Sequence, residues 1–278
     1  MGTTNRFESV AIIGGGAMGE AVLAGLVAQR TSETLASLVV ANPGVERQAY
    51  LRETYRVACV GDATEITTTP DVIILAVKPQ IMATALEQIV ANPLLVSEVL
   101  PLFITVAAGL KTSFYEEHLP AGARVIRTMP NMPMLVGEGA IGLCAGACAS
   151  KDDVACALQI FEPLGVVEVV DESLMDAVCA VSGSGPSYVA QFVKAMSEAG
   201  SALGLSPSQS LALTLQTVAG TAKLMQERGS SPDEVVKAVT SPHGTTEAAN
   251  TVLMGSDFAS VVASAVHAAD RRSKELSQ

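Results

Sequence analysis

Hydrophobic positions in the first 171 residues form short, nearly continuous runs of Val and Ile rather than an alternating pattern. Such runs are typical of strands that are buried on both faces of a parallel sheet. Amphipathic stretches separate the runs, and this order of strand, helix and strand predicts a doubly wound α/β domain. The predicted strands are Val10–Ile13, Leu38–Ala41, Val57–Val60, Val72–Val77, Phe103–Ala107, Val125–Thr128 and Val166–Val170. The predicted helices include Met18–Gln29, Arg47–Tyr55, Gln80–Ala91 and Lys151–Glu162.

The pattern changes at about Asp171. From Glu172 to Gln278 no strand-like run occurs, only long helix-forming segments interrupted by Gly, Ser and Pro. We therefore predict a sheet domain over residues 1–171 and an all-helical domain over residues 172–278. The helical domain is rich in Ala and Leu and would expose apolar faces if left alone, so we expect a homo-oligomer. The alternative is a monomer whose helices cover the sheet domain.

Composition and charge restrict the class of protein. Of the 278 residues 49% are hydrophobic and only 16% are charged, which excludes a disordered chain. The net charge of −11 and the lack of a Lys/Arg cluster argue against a nucleic acid or an anionic membrane as partner. The longest uncharged stretch, 199–222, contains Pro207 and two Gln, so we interpret it as two helices with a turn and not as a membrane span.

Cysteine and histidine usage points to a reducing compartment without a metal centre. The five cysteines form no CxxC pair, and the three histidines are widely spaced, so we expect no metal site. The first eight residues are polar and show no secretory signal. Together with the odd number of cysteines, this predicts free thiols and a cytoplasmic location.

A glycine-rich segment follows the first predicted strand and opens a helix. Gly14, Gly16 and Gly19 satisfy the G-x-G-x-x-G pattern. The first glycine permits a tight turn, the second lets a pyrophosphate approach the backbone, and the third lets the helix pack on the strand. The helix N-terminus attracts the phosphates. The segment predicts a Rossmann-like dinucleotide site that includes Gly14, Gly16, Ala17, Met18 and Gly19; a purely structural turn is the alternative.

The end of the second predicted strand indicates which dinucleotide is bound. In NAD sites this strand ends in Asp or Glu, which binds the ribose 2′-hydroxyl. Here Ala41 is followed by Asn42, and no acid occurs before Glu46. Asn42 can donate to a 2′-phosphate and Arg47 lies close behind, which favours NADP(H), with NAD(H) as the other cofactor. An ordinary turn over 42–44 is the structural alternative.

Further cofactor residues are expected where the fourth and fifth strands end, because ligands bind at the carboxyl edge of such sheets. Lys78 either faces the cofactor or caps a neighbouring helix. The small residues after the fifth strand leave room for a flat nicotinamide ring, although they also suit tight packing. The candidates are Ala76, Val77, Lys78 and Pro79 after the fourth strand, and Ala107 and Ala108 after the fifth.

Three loops are candidates for contact with a substrate. Asn131, in a loop with two prolines, offers an amide that positions a reactive ring or substrate, unless the loop is only structural. Segment 182–188 is a tight Gly/Ser loop that feeds a helix. Segment 240–247 is rich in hydroxyls and free amides directly before a helix, which suits a carboxylate, although Ser and Thr are also ordinary capping residues.

Taken together, these motifs resemble those of the pyrroline-5-carboxylate reductases, in order and spacing, over essentially the whole chain. The segments that carry the resemblance are Gly14–Gly19, Ala76–Pro79, Met129–Pro133, Ser182–Tyr188 and Thr240–Thr246. The resemblance implies hydride transfer from NAD(P)H to the C=N bond of 1-pyrroline-5-carboxylate, which gives L-proline in the last step of proline biosynthesis. It also implies a Rossmann domain, a C-terminal helical dimerisation domain, and an active site that uses the partner subunit.

The resemblance further implies roles for single residues. Thr246 would place its hydroxyl against the ring nitrogen as the catalytic group. The substrate carboxylate would be held by Ser241, Gly244, Thr245 and Thr246. The chain departs from the family at His243, which takes the place of a frequent glycine and either relays a proton or shapes the loop. Ala63 and Ala238 stand where relatives commonly have Asn, which affects the details of cofactor contacts.

Three other functions compete with this interpretation. Dehydrogenases of the β-hydroxyacid type need a Lys after the glycine-rich loop of the second domain, whereas the first Lys after Gly185 is Lys194. A reductase of another cyclic imine fits the same motifs. A regulator that binds NADP(H) without catalysis is the third alternative, and the intact hydroxyl-rich loop argues against it.

Overall fold

The computed structural model of the protein describes residues 7–29 and 37–276. It divides into two compact units. One unit runs up to Ser184 and takes in the chain again from Ala269, and the other spans Gly185–Ala268. Residues 172–184, which the sequence assigns to the helical domain, therefore pack within the first unit.

The first unit is built on one eight-stranded sheet. Its strand order is β3-β2-β1-β4-β5-β6-β7-β8, and every neighbouring pair is parallel except β6 and β7. The strands are β1 Ser9–Ile13, β2 Ser37–Ala41, β3 Ala58–Val60, β4 Val72–Leu75, β5 Leu102–Thr105, β6 Arg124–Met129, β7 Gly139–Ala145 and β8 Gly165–Val169. The doubly wound sheet is confirmed, whereas β7 has no counterpart in the sequence prediction.

Helices cover both faces of this sheet, as the Val/Ile runs predict. Alternate residues of β1 and β4 point to opposite faces. On one face Ile12 and Ile74 lie in a buried cluster with residues of α1, α2 and α5; on the other, Ile13 and Ile73 lie with residues of α3 and α4. The helices are α1 Ala17–Gln29, α2 Val45–Tyr55, α3 Met82–Ala91, α4 Thr112–His118, α5 Lys151–Phe161 and α6 Met175–Val178. A π-helical turn, Cys179–Gly183, follows α6.

An ion pair between a buried arginine and a half-buried glutamate ties the chain after β8 to the first unit. The guanidinium of Arg127, on β6, is almost fully buried and lies 3.2 Å from the Glu172 carboxylate. The same carboxylate accepts hydrogen bonds from the backbone N–H and the hydroxyl of Thr112, at 2.7 and 2.9 Å. Without Glu172 the buried guanidinium would lose its counter-charge, which is costly. Near the chain end, the Ser273 hydroxyl bonds to Asp176 at 2.6 Å.

The second unit is all-helical, as predicted. The break expected within 199–222 lies between α7 and α8, where Ser206 caps α8 reciprocally with Gln209. The helices are α7 Gly185–Ala202, α8 Pro207–Arg228, α9 Pro232–Val239, α10 Thr245–Met254 and α11 Phe258–Leu276, which ends in the first unit. Over the described residues no single helix has the length and apolar character to cross a membrane; α10 and α11, bent by 54°, reach that measure only as a pair.

The second unit lacks an apolar core of its own. Within Gly185–Ala268 the buried side chains are those of Ser210 and Thr214, and none of the buried hydrophobic residues belongs to this segment. The α7–α8 hairpin closes through small residues, with the Ser210 hydroxyl 2.7 Å from the Ser197 carbonyl oxygen. Large apolar side chains such as Phe192 and Met254 are exposed. Exposed apolar surface of this extent marks a surface of interaction.

Candidate active site

A cavity of about 710 Å³ opens at the carboxyl ends of β1, β2 and β4. In the sheet, β2 lies on one side of β1 and β4 on the other, so the direction of strand order reverses at β1. Doubly wound sheets bind ligands at such a switch point. The cavity lining includes six of the predicted cofactor residues: Gly14, Gly16, Asn42, Ala76, Val77 and Lys78. The structure thus brings together residues from three separate segments of the sequence.

The other predicted cofactor residues lie beside this cavity or on the next strand. Ala17, Met18 and Gly19 form the first turn of α1, and Pro79 begins the 3-10 turn after Lys78. Ala107 and Ala108 follow β5, which pairs with β4; Ala107 is buried and Ala108 is exposed. They are not part of the cavity lining, so their contact with a nicotinamide stays a prediction.

Each of the three glycines of the motif is needed for a different physical reason. Gly14 has a φ of +107°, and a Cβ there would lie 2.7 Å from the carbonyl carbon and oxygen of Ala76. A Cβ on Gly19 would lie 1.9 Å from the Gly14 carbonyl oxygen. A Cβ on Gly16 would meet no atom within 4 Å. The first and third glycines are therefore required by the packing of the protein itself, whereas Gly16 leaves space beside the free N–H groups of α1 for a phosphate.

Asn42 lies in the wall of the cavity, with its side-chain amide only partly engaged by the protein. Its side-chain oxygen accepts from the Gly15 N–H at 3.2 Å, which orients the amide at the cavity wall. Its amide nitrogen makes only a long contact of 3.5 Å with the Gly44 carbonyl oxygen. The Asn42 amide therefore keeps donor capacity for a ligand, in agreement with the predicted role.

Arg47 does not point to the site of a 2′-phosphate, as its place shortly after Asn42 in the sequence suggests. Its Nε donates to the Gly15 carbonyl oxygen at 2.6 Å, and its Nη2 forms an ion pair with Glu20. The guanidinium also lies 5.0 Å from the centre of the Tyr50 ring. In this structure Arg47 ties α2 to the glycine loop and is not directed at the cavity.

Glu20 organises this tie. Besides Arg47, the hydroxyls of Tyr50 and Tyr55 donate to its carboxylate, at 2.9 and 2.8 Å. Burial raises the pKa of Glu20, but the hydrogen bonds from Arg47, Tyr55 and Tyr50 outweigh burial and hold that pKa below its usual value. The carboxylate therefore stays charged at neutral pH and keeps Arg47 in place.

Lys78 stands at the rim of the cavity. Its side chain is exposed, and it makes no cap hydrogen bond to the turn that begins at Pro79. Among the residues that the structure describes, Lys78 forms no ion pair. Of the two roles that the sequence left open, capping of this turn is not observed, and contact with the cofactor stays a prediction.

Asn131 is held on both sides by the protein. Its amide nitrogen donates to the Ser182 carbonyl oxygen at 3.0 Å, and its side-chain oxygen accepts from the Ala140 N–H at 2.9 Å. The residue is buried. These contacts favour the structural alternative, in which Asn131 fixes its proline-rich loop to β7 and to the π-helical turn. Binding of substrate by this side chain remains only a prediction.

The predicted substrate loop lies in the second unit at the start of α10. Gly244 is the N-cap of α10, and its N–H donates to the Ser241 carbonyl oxygen at 3.0 Å. Thr245 and Thr246 are the first two residues of the helix, so their N–H groups have no partner within it. Ser241, Gly244, Thr245 and Thr246 thereby come together in one turn, and its hydroxyls and the N–H groups of Thr245 and Thr246 are of the kind that suits an anion.

His243 has an unusual backbone within this loop. Its φ of 59° lies in the left-handed region, which explains why glycine suits the position. Its N–H donates to the Glu247 carboxylate at 2.7 Å, while the imidazole is almost fully exposed. The geometry favours shaping of the loop over proton relay.

Comparison with known proteins agrees with this architecture. A family model described as pyrroline-5-carboxylate reductase dimerisation matches residues 172–276, and one described as NADP oxidoreductase, coenzyme F420-dependent, matches residues 9–101. A pyrroline-5-carboxylate reductase from Synechocystis sp. is 41% identical over 267 residues, which cover 95% of this chain and 97% of that protein. The chain belongs to the pyrroline-5-carboxylate reductase family.

Solved structures of the family share the whole fold. The reductase from Coxiella burnetii has a TM-score of 0.90 at 33% identity and covers 99% of this chain and 100% of its own. The Plasmodium falciparum enzyme, solved with NADP bound, has a TM-score of 0.82 at 27% identity with the same coverage. The predicted family, fold class, reaction class and NADP-type cofactor are confirmed. The domain boundary near Asp171 and the individual site residues remain predictions.

Two glycine substitutions separate the fold from cofactor binding. Gly16→Ala adds a methyl group in open space, so the melting temperature should stay unchanged, whereas NADPH affinity should fall at least about tenfold because the pyrophosphate loses its approach. Gly14→Ala should instead lower the melting temperature, because its Cβ collides with the Ala76 backbone. Thermal denaturation and NADPH titration measure both effects. A Gly16→Ala protein that binds NADPH like the parent would contradict the site.

His243→Gly tests the account of the loop. Glycine removes the strain of the left-handed backbone, but it also makes the unfolded chain more flexible, which offsets part of this gain. The free energy of unfolding should therefore rise by about 0.5–1 kcal/mol, and turnover should be retained. The same exchange at His118, the last residue of α4, should lower it, because glycine is a poor helix former and the contact of the imidazole with the Phe114 carbonyl oxygen, at 2.8 Å, is lost. Urea denaturation and the rate of NADPH oxidation provide the measurements. A large loss of turnover in His243→Gly would favour the proton relay.

Proposed function

We propose that this chain reduces the C=N bond of 1-pyrroline-5-carboxylate to L-proline with the residues assembled above. The main support is that this chain, a member of the reductase family, has two motifs together. One is the glycine-rich segment at the sheet edge, and the other is the hydroxyl-rich loop at the start of α10. The first suits a dinucleotide and the second a small carboxylate. Neither part requires a metal ion or an acid–base pair.

The cofactor would be held by backbone and by few side chains. The residues of 14–19 and the free N–H groups of α1 would hold the pyrophosphate, while Asn42 and Lys78 would contact the 2′-phosphate or the ribose. Ala107 and Ala108 would lie against the nicotinamide, where their small side chains allow close approach. When bound, NADP(H) supplies the hydride. Its fit rests on the open space at Gly16, which a larger residue would fill.

The loop before α10 would bind and orient the substrate. Ser241 and the N–H groups of Thr245 and Thr246 would hold the carboxylate next to Gly244, whose own N–H bonds to the Ser241 carbonyl oxygen. The Thr246 hydroxyl would bond to the ring nitrogen. A protonated imine nitrogen accepts the electrons of the C=N bond as the carbon receives hydride, so no additional acid is needed during transfer. Alignment of two planar molecules in this way lowers the barrier by roughly 7 kcal/mol when the geometry is good.

Assembly with a second copy would complete the second unit. The dimerisation family model over 172–276 supports a homo-oligomer, and the exposed apolar side chains of Gly185–Ala268 provide the surface for it. We propose a homodimer or a larger assembly built from dimers, in which the partner subunit takes part in each active site. We further propose that the enzyme works in the cytoplasm, without a nucleic-acid or membrane partner.

Removal of one hydroxyl tests the assigned chemistry. Thr246→Ala should reduce kcat with pyrroline-5-carboxylate by about 10–100-fold, the value of one hydrogen bond to a charged group, and leave NADPH affinity unchanged. Thr251→Ala is a matched control on the same helix, because that hydroxyl bonds only to the Glu247 carbonyl oxygen at 2.9 Å. Steady-state kinetics and cofactor titration make the comparison.

The same assay separates the alternatives. Equal loss of turnover and NADPH affinity in Thr246→Ala would contradict the role of its hydroxyl. Turnover of only another cyclic imine would favour a different reductase. NADPH binding without turnover of any imine would favour a regulator.

A further inference from the structure

Two fully buried hydroxyls, at the end of β5, have no part in the chemistry described above. Thr105 is the last residue of β5, and Tyr115 comes from α4. Their oxygens are 2.7 Å apart, and both residues have zero exposure. The backbone N–H of Ala107 donates to the Thr105 hydroxyl oxygen at 3.2 Å. A chain of polar atoms thus connects α4 to the backbone that follows the strand.

This chain determines the direction of the backbone where β5 ends. The N–H of Val106 still bonds to the Leu75 carbonyl oxygen of the neighbouring β4, at 3.1 Å. The next N–H, that of Ala107, bonds to the Thr105 side chain instead. The chain then continues through exposed Ala108 to Gly109, where φ is +87°. The Thr105 hydroxyl therefore fixes the Val106–Ala107 peptide, one residue before Ala108.

Tyr115 holds the Thr105 hydroxyl in one orientation. Burial raises the pKa of Tyr115 to about 12, while the hydrogen bond with Thr105 and the charge of Arg127 act in the opposite direction. The phenol consequently stays protonated at any pH at which the protein works. A neutral hydroxyl packed in this way keeps its hydrogen bond to Thr105.

We propose that Thr105, supported by Tyr115, is a positioning residue for hydride transfer, because it fixes the Val106–Ala107 peptide and thereby the position of Ala107 and Ala108, against which the nicotinamide lies. This rests on the proposed function, in which those two alanines contact the ring. Thr105 touches neither cofactor nor substrate and acts through the Ala107 peptide. A looser peptide would let the nicotinamide sample orientations from which hydride does not reach the imine.

The chain contains a matched control for this role. Thr128, on β6, is also fully buried, and its hydroxyl donates to the Thr105 carbonyl oxygen at 2.8 Å. Thr128→Val removes a buried hydrogen bond of the same kind from the same place, but leaves the Ala107 N–H with its acceptor. Thr105→Val removes that acceptor, and Thr105→Ser keeps it.

The experiment compares Thr105→Val, Thr105→Ser, Tyr115→Phe and Thr128→Val in the full chain. Each variant is measured for melting temperature, kcat, the deuterium isotope effect with NADPH labelled at C4, and affinity for NADPH and for adenosine 2′,5′-bisphosphate, which lacks nicotinamide. Thr105→Val should lower kcat about tenfold, raise the isotope effect and weaken NADPH binding but not bisphosphate binding. Thr105→Ser should behave like the parent, and Tyr115→Phe should shift kcat and the isotope effect in the same direction by a smaller factor. Thr128→Val should lower only the melting temperature.

The proposal is overturned if Thr105→Val and Thr128→Val lower the melting temperature alike and share the parent's kcat and isotope effect. It is also overturned if Tyr115→Phe leaves kcat and the isotope effect unchanged, a result that decides the question even if Thr105→Val does not fold. A parent protein without imine turnover would instead contradict the proposed function. In that case the NADPH and bisphosphate affinities of Thr105→Val and Thr128→Val still decide whether Thr105 positions the ring.

Discussion

The close approach of Gly14 to the backbone of Ala76 is the constraint on which the cofactor site depends. It joins the end of β1 to the end of β4, at the point where the sheet order reverses. A Cβ on Gly14 would lie only 2.7 Å from the carbonyl group of Ala76. This approach requires a left-handed residue without a side chain, and it places the first turn of α1 over the strand ends. Once that turn is fixed, Asn42 and Lys78 reach the same cavity from their own strands.

The two compact units differ in how much apolar surface they bury within themselves. The first buries Val, Leu and Ile on both faces of its sheet and ties its outer segments with the Arg127–Glu172 pair. The second buries no apolar side chain of its own, although its helices are well capped. Its stability therefore depends on burial of those helix faces against another surface. The substrate loop belongs to this unit, so its geometry and the assembly of the protein are connected.

The sequence alone predicts those features that local pattern determines. Buried strands rich in Val and Ile, the glycine motif and the all-helical second part all follow from it. Strand β7 was missed because Gly139–Ala145 consists largely of small residues and lacks a Val/Ile run. The partners of Arg47 and Asn131, namely Glu20 and Ser182, lie far away along the chain, so their structural roles arise only from tertiary packing. The left-handed backbone of His243 likewise does not follow from the sequence alone, because residues other than glycine seldom adopt it.

Transfer of labelled hydrogen tests the central claim most directly, namely that a cofactor in the cleft delivers hydride to the imine carbon. The purified protein is incubated with pyrroline-5-carboxylate and NADPH carrying deuterium on either face of C4, and the product is analysed by mass spectrometry and NMR. The account predicts L-proline with one deuterium at the former imine carbon, from one face only and with none from deuterated solvent. Unlabelled proline from both labelled cofactors, or hydrogen taken from the solvent at that carbon, would contradict it.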